Sequence, residues 1–142
     1  MQNKRYKPKY DKLFFIIFIP TAVLILAVTL ITAILEPKAL FWTLPIAAFV
    51  AYFFISPISA YVELRESTVF IKYGFILKKE IPYSKIRKIE RERKWYSDSM
   101  MSMKNSLEHV NIRYNSFDVT SVSVKDNEAF MKELDERLRN GN

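Results

Sequence analysis

LFFIIFIPTAVLILAVTLITAIL (Leu13–Leu35) and ALFWTLPIAAFVAYFFISPISAYV (Ala39–Val62) are uncharged runs of 23 and 24 residues, separated only by Glu36-Pro37-Lys38. A helix rises about 1.5 Å per residue, so roughly 20 apolar residues cross the hydrocarbon core of a bilayer. The three-residue spacer leaves room for a tight turn and nothing larger. The expectation is a transmembrane helical hairpin over residues 13–60, with spans 13–35 and 39–60, between a basic N-terminus (1–12) and a domain (61–142). A chain of 142 residues has no interior deep enough to surround two such helices. The first run also exceeds the roughly 7–15 apolar residues of a cleaved signal peptide.

Charge sets the orientation. Lys4, Arg5, Lys7, Lys9 and Lys12 face only Asp11 in the N-terminal flank, while the turn holds one Glu and one Lys. Short basic flanks stay in the cytoplasm, so both termini are expected there. Phe41 and Trp42 then mark the outer interface, and Tyr6, Tyr10 and Tyr61 the inner one. Nothing ionisable lies within either span, which disfavours a transporter or proton relay. Thr21, Thr29, Thr32 and Thr43 can bond back to the helix backbone, and Pro20, Pro45 and Pro57 are potential kinks.

Catalytic chemistry finds little to work with. The chain has no cysteine, one histidine (His109) and two glycines (Gly74, Gly141). That excludes thiolate catalysis and Cys-based metal sites, and leaves no phosphate-cradling glycine loop. His109 reads as a surface residue. No catalytic, cofactor or metal site is expected, and the chain reads as a non-enzyme.

Residues 61–142 alternate apolar and polar in short runs. Tyr61–Glu66, Thr68–Tyr73, Phe75–Ile81, Arg87–Lys94, His109–Tyr114 and Phe117–Val124 read as strands. Gly74 reads as a turn glycine suited to positive φ, and Asn115-Ser116 as a two-residue turn. Phe130, Met131, Leu134 and Leu138 form one stripe of a 3.6-residue period, so the chain ends in an amphipathic helix. Ser123 with Asp126 approximates a capping box. The fold class is membrane-anchored α+β: a helical hairpin, then an antiparallel sheet closed by a C-terminal helix.

Lys85-Ile-Arg-Lys-Ile-Glu-Arg-Glu-Arg-Lys94 holds six basic and two acidic residues. Lys85, Arg87, Lys88, Arg91, Arg93 and Lys94 read as a solvated edge strand that blocks aggregation, as a surface against anionic lipid headgroups, or as a site for an acidic protein. Arg87, Arg91 and Arg93 share the face that looks uncompensated. Nucleic acid is not expected, since residues 61–142 carry a net charge of only +3 and Trp95 and Tyr96 are not interleaved with the basic run. Met100, Met101 and Met103 read as core or lid, or as an adaptable partner surface.

Ile81-Pro-Tyr-Ser-Lys-Ile86 resembles the I-P-Y-x-x-I turn of bacterial PH-like domains. Ser106-Leu-Glu-His-Val-Asn-Ile-Arg-Tyr114, Val119–Val124 and the Glu128–Leu138 helix resemble the YyaB-like branch, in which a membrane hairpin also precedes the domain. Val124 stands where that branch usually has Pro, and Lys104-Asn105 where it has small or apolar residues. The resemblance implies a bent, partly closed PH-type barrel and no catalysis. The expected function is a membrane-tethered interaction or scaffold module, engaging a second copy or another membrane protein, with protection against membrane-active agents or envelope stress as its setting. The alternatives are a peripheral sensor of anionic lipid and an accessory subunit of a transporter or enzyme.

Overall fold

The computed structural model describes residues 2–99 and 102–140. The apolar runs form α1 (Lys12–Leu35) and α2 (Leu40–Ile55), with 3-10 turns at Pro37–Ala39 and Ser56–Ser59. Pro37 opens the first of these turns, where its fixed φ fits and its missing N–H costs nothing. Including the turns, Lys12–Leu35 and Pro37–Ser59 are long and apolar enough to cross a membrane. Neither α1 nor α2 buries a single residue, whereas a soluble-core helix hides at least one apolar face. Pro20 and Pro45 stay inside the helices. The threonine hydroxyls donate back as expected: Thr21 to the Ile17 carbonyl (2.7 Å), Thr29 to Ile25 (2.8 Å), Thr32 to Val28 (2.7 Å) and Thr43 to Ala39 (3.2 Å).

Among the described residues, seven short strands make two antiparallel sheets. The first orders β1 (Lys4–Tyr6), β2 (Tyr61–Leu64), β3 (Thr68–Lys72) and β4 (Lys78–Pro82), and the second β5 (Ile86–Arg93), β6 (Glu108–Tyr114) and β7 (Asp118–Val122). A 3-10 turn at Tyr83–Lys85 links them, in the I-P-Y segment. β1 precedes the helix pair and β2 follows it, yet they are partners, with Lys4 opposite Leu64 and Tyr6 opposite Val62. The basic segment expected as a flank is therefore a strand of the sheet. It then crosses to the second sheet. Pro8 bridges Val124, the Lys9 N–H meets the Ser123 carbonyl (3.0 Å), and the Lys125 N–H meets the Lys7 carbonyl (3.1 Å). Tyr6, expected at a membrane interface, is instead buried edge-on against Phe130 at 5.2 Å.

The core lies between the sheets and α3 (Asn127–Asn140). Val62, Leu64, Val69, Ile71, Ile81, Val110, Ile112, Val122 and Val124 meet Phe130 and Leu134 there, with Met131 and Leu138 packed at its margin. Ser123 does not cap α3, because its hydroxyl donates to the Glu108 carbonyl. Asp126 does so, accepting the Ala129 N–H at 2.9 Å, and the Asn127 side chain accepts the Val124 N–H. The β6–β7 turn has three residues, Asn115–Phe117, with Asn115 at φ 52°. Gly74 is not at positive φ. Its reason is space, since a Cβ there would sit 1.7 Å from the Ser56 Oγ at the end of the helix pair.

The outer face of β6 is covered as well. His109 and Asn111 are fully buried, so the expected surface histidine lies inside the protein. The segment after Lys94 folds over them. Ser97 bonds Ser121, Ser121 donates to Asn111 Oδ1 (2.6 Å), and the Lys104 ammonium donates to the Lys94 and Tyr96 carbonyls. Met103 pairs with the free edge of β7 and is buried, which removes it from any partner surface. Met100 and Met101 lie outside the described residues.

Candidate functional site

Short connections fix the helix pair to the domain. Asp11, at the entry to α1, does not cap that helix. Its carboxylate accepts the Ser106 hydroxyl (2.9 Å) and the Leu107 N–H (2.8 Å), and its own N–H donates to the Asn105 carbonyl. Burial opposes ionisation of Asp11, but these two donors together with Lys9 and Arg93 outweigh it and hold the carboxyl below its usual range. Tyr10 donates to the Pro57 carbonyl, which joins the start of α1 to the end of α2. Phe14 stacks on Phe18 at 4.1 Å, and Phe18 meets Phe54 edge-on at 5.0 Å.

Above this junction lies a groove of about 780 Å³. Its wall is Phe14, Phe15, Phe18, Ile19, Ala22, Val23, Phe54 and Ile58, and its upper margin includes Arg5, Lys7, Tyr61 and Lys125. Arg5 is held by Glu63 at 3.2 Å and lies 4.1 Å over the Tyr61 ring. Lys7 and Lys125 are exposed and form no ion pair with the described residues. Two loops with exposed apolar side chains flank the same end. Phe75, Ile76 and Leu77 are exposed in the β3–β4 turn, with Phe75 at 6.4 Å from Tyr52 of α2. Trp95 is 83% exposed and borders a small cavity with Leu13 and Ile17 of α1. Phe75–Ile81 reads in the sequence as one strand, but β4 begins only at Lys78, so Phe75, Ile76 and Leu77 fall in the turn instead. No sequence signal pairs Lys7 with Lys125.

The basic strand looks different. Lys88 pairs with Glu90 (2.5 Å), and Arg113 with the same carboxylate (2.8 Å), which together hold Glu90 at about 2. Lys94 pairs with Glu92 (2.8 Å). Arg91 reaches Glu128 (2.6 Å) and Glu108 (3.4 Å), so the arginine face expected to be uncompensated is compensated at its centre. A register shift between Ile86 and Lys88 also takes Arg87 out of phase with Arg91 and Arg93. Lys85, Arg87 and Arg93 have no ion pair with the described residues. The strand's Arg93 end lies near Asp11, while its Ile86 end follows the Tyr83–Lys85 turn, tied to the far end of β2 by the Tyr83 hydroxyl on the Arg65 carbonyl.

Two antiparallel sheets closed over one core by a C-terminal helix define a PH-type interaction module. The family described as Bacterial PH domain matches residues 60–138, and the chain belongs to that family. A domain of this kind engages lipids or proteins. No curated protein and no solved structure gives a significant match. The matched segment starts at the last residue before β2, so β1 and both helices precede it.

Proposed function

We propose that the chain is a non-enzymatic, membrane-anchored interaction module. In this reading α1 and α2 span a bacterial plasma membrane, and the PH-type domain and both termini lie in the cytoplasm. The observation that carries it is the insertion of the helix pair between the paired strands β1 and β2. A domain on a flexible tether samples every orientation. This one leaves two adjacent strands for two adjacent helices within a few residues, with Gly74 pressed on Ser56 and Asp11 gripping Ser106, so one face is held towards the bilayer. Phe75–Leu77 and Trp95 then reach the interfacial layer, a level that aromatic rings favour. The basic residues ahead of α1 set the orientation.

Within the family we place the chain in the YyaB-like branch, on the Ser106–Tyr114 pattern, whose Ser106 here binds Asp11. The partner is a second copy or another membrane protein. Lipid sensing through β5 is the weaker reading, because Lys88, Arg91 and Lys94 already have acidic partners. Catalysis would also lack the one imidazole, which is sealed from substrate.

The test uses cysteines at Lys38 and Phe117, the latter 97% exposed on the domain. An impermeant thiol reagent on intact cells should label Lys38→Cys and spare Phe117→Cys. The reverse pattern overturns the topology. A photoreactive residue at Phe117 should capture protein, and capture of nothing but lipid there would remove the protein-interaction reading.

A further inference from the structure

We propose that the groove between helix pair and domain holds one anionic glycerophospholipid of the inner leaflet, its phosphate at Lys7 and Lys125 and an acyl chain along Phe15, Ile19 and Val23. This rests on the reading that α1 and α2 span the membrane. Pro8 opposes Val124 across an antiparallel bridge, which sets Lys7 directly opposite Lys125. Like charges facing each other across strands repel and destabilise the pairing. On β5 the facing cations Lys88 and Arg113 share the Glu90 carboxylate between them. Lys7 and Lys125 have none among the described residues, although Glu108 is close enough to bind Lys9. An anion between the two ammonium groups would convert the repulsion into a pair of charge-assisted contacts.

The surroundings select the kind of anion. The Lys7–Lys125 pair lies where the groove meets the domain, and most of the remaining wall is side chains of the helix pair with a strongly apolar surface. An inorganic phosphate would leave that wall uncovered. A lipid covers both, with its charged head at the strand pairing and its chain beside α1. The volume, about 780 Å³, falls within the usual range for ligand clefts. Arg5 stands at the same margin but is engaged by Glu63, so it supports the site while the two lysines carry it.

The experiment uses the full chain, first tested for retention in membranes through alkaline carbonate extraction. It is then placed in bilayer discs of phosphatidylcholine doped with phosphatidylglycerol, released, and its bound lipid counted with native mass spectrometry. The wild type should keep phosphatidylglycerol over phosphatidylcholine. Lys7→Gln with Lys125→Gln should weaken that preference about tenfold or more, given the size of lysine–anionic lipid attractions. Val23→Trp, which fills the apolar wall without touching charge, should lower retention too. Arg87→Gln with Arg93→Gln on β5 should leave it unchanged. Added phosphatidylglycerol should raise the melting temperature of the wild type and not of the double lysine variant. Carbonate release of the chain would overturn the anchor and this site together. Retention in membranes with no phosphatidylglycerol preference, or with a preference indifferent to Lys7 and Lys125, would overturn the site alone.

Discussion

His109 shows how a single buried side chain ties stability to pH. Its Nδ1 lies 3.0 Å from the Leu107 carbonyl, which can only accept, so Nδ1 carries the proton of a neutral ring. Nε2 is buried with no partner among the described residues. Protonation there would create an unpaired charge in the interior, and burial lowers the pKa of this imidazole from its ordinary value of 6.5. The unfolded chain therefore binds a proton more readily than the folded one. Stability is fully present above about pH 6.5 and falls as pH drops below it, by at most about 1.4 kcal/mol per pH unit, until the folded pKa is reached. Asp11 and Glu108 are also held low, Glu108 chiefly through Arg91, but their contribution is lost only as pH falls through the carboxylate range near 4 and below. The full chain in neutral detergent should melt at a lower temperature at pH 5.5 than at pH 7.5. His109→Asn keeps a donor for Leu107 and removes the titration, so its melting temperature should not change between those pH values. An equal slope in both proteins would assign the effect elsewhere.

At the scale of elements, α3 is both plug and staple. Its apolar stripe was legible in the sequence, because a 3.6-residue period is local, and Phe130 and Leu134 are indeed fully buried. Arg137 was not legible as structural, since nothing on the helix itself says what lies opposite. It is 4% exposed, with its guanidinium donating to Glu133 (2.9 Å) and to the carbonyls of Leu64 (3.3 Å), Arg65 (3.0 Å) and Gln2 (2.8 Å). One side chain thus ties α3 to the end of β2 and to the segment before β1. Arg137→Met keeps most of the volume but leaves those carbonyls without their donor, which should cost about 2–4 kcal/mol. Lysine should not rescue it, because one ammonium cannot span the fork. Arg139, 77% exposed on Asp135, is the matched control, and its change to Met should cost under about 1 kcal/mol. Comparable shifts in melting temperature for Arg137→Met and Arg139→Met would refute the staple. The same contrast explains β6: its alternation revealed a strand, but only the segment folded over its outer face turned His109 and Asn111 into buried residues.

For the whole molecule, the long-range pairing of the N-terminus decides what the domain is. Lys4-Arg5-Tyr6 is too short and too basic to announce a strand, and its partner Val62 lies beyond both helices. Charge alone made it a flank; pairing makes it the edge of one sheet and its bridge to the other at Pro8 and Val124. Tyr6 supplies a buried ring against Phe130, and Glu63 finds Arg5 there at 3.2 Å. A fragment of residues 60–140 lacks all of this and exposes the edge of β2, where unpaired backbone groups invite association. It should be poorly soluble or melt well below a single chain in which residues 2–9 are joined to residue 60 by a short glycine-serine linker replacing the helix pair. Loss of a buried aromatic alone typically costs about 3–5 kcal/mol, a large share of the roughly 5–15 kcal/mol that stabilises a small domain. Circular dichroism melts of the two proteins make the comparison, and Tyr6→Ala in the linked protein should reproduce part of the deficit. If the 60–140 fragment is monomeric and melts within a few degrees of the linked protein, the N-terminal strand is an ornament of the domain, and the fixed mounting of the domain on its helices loses its structural basis.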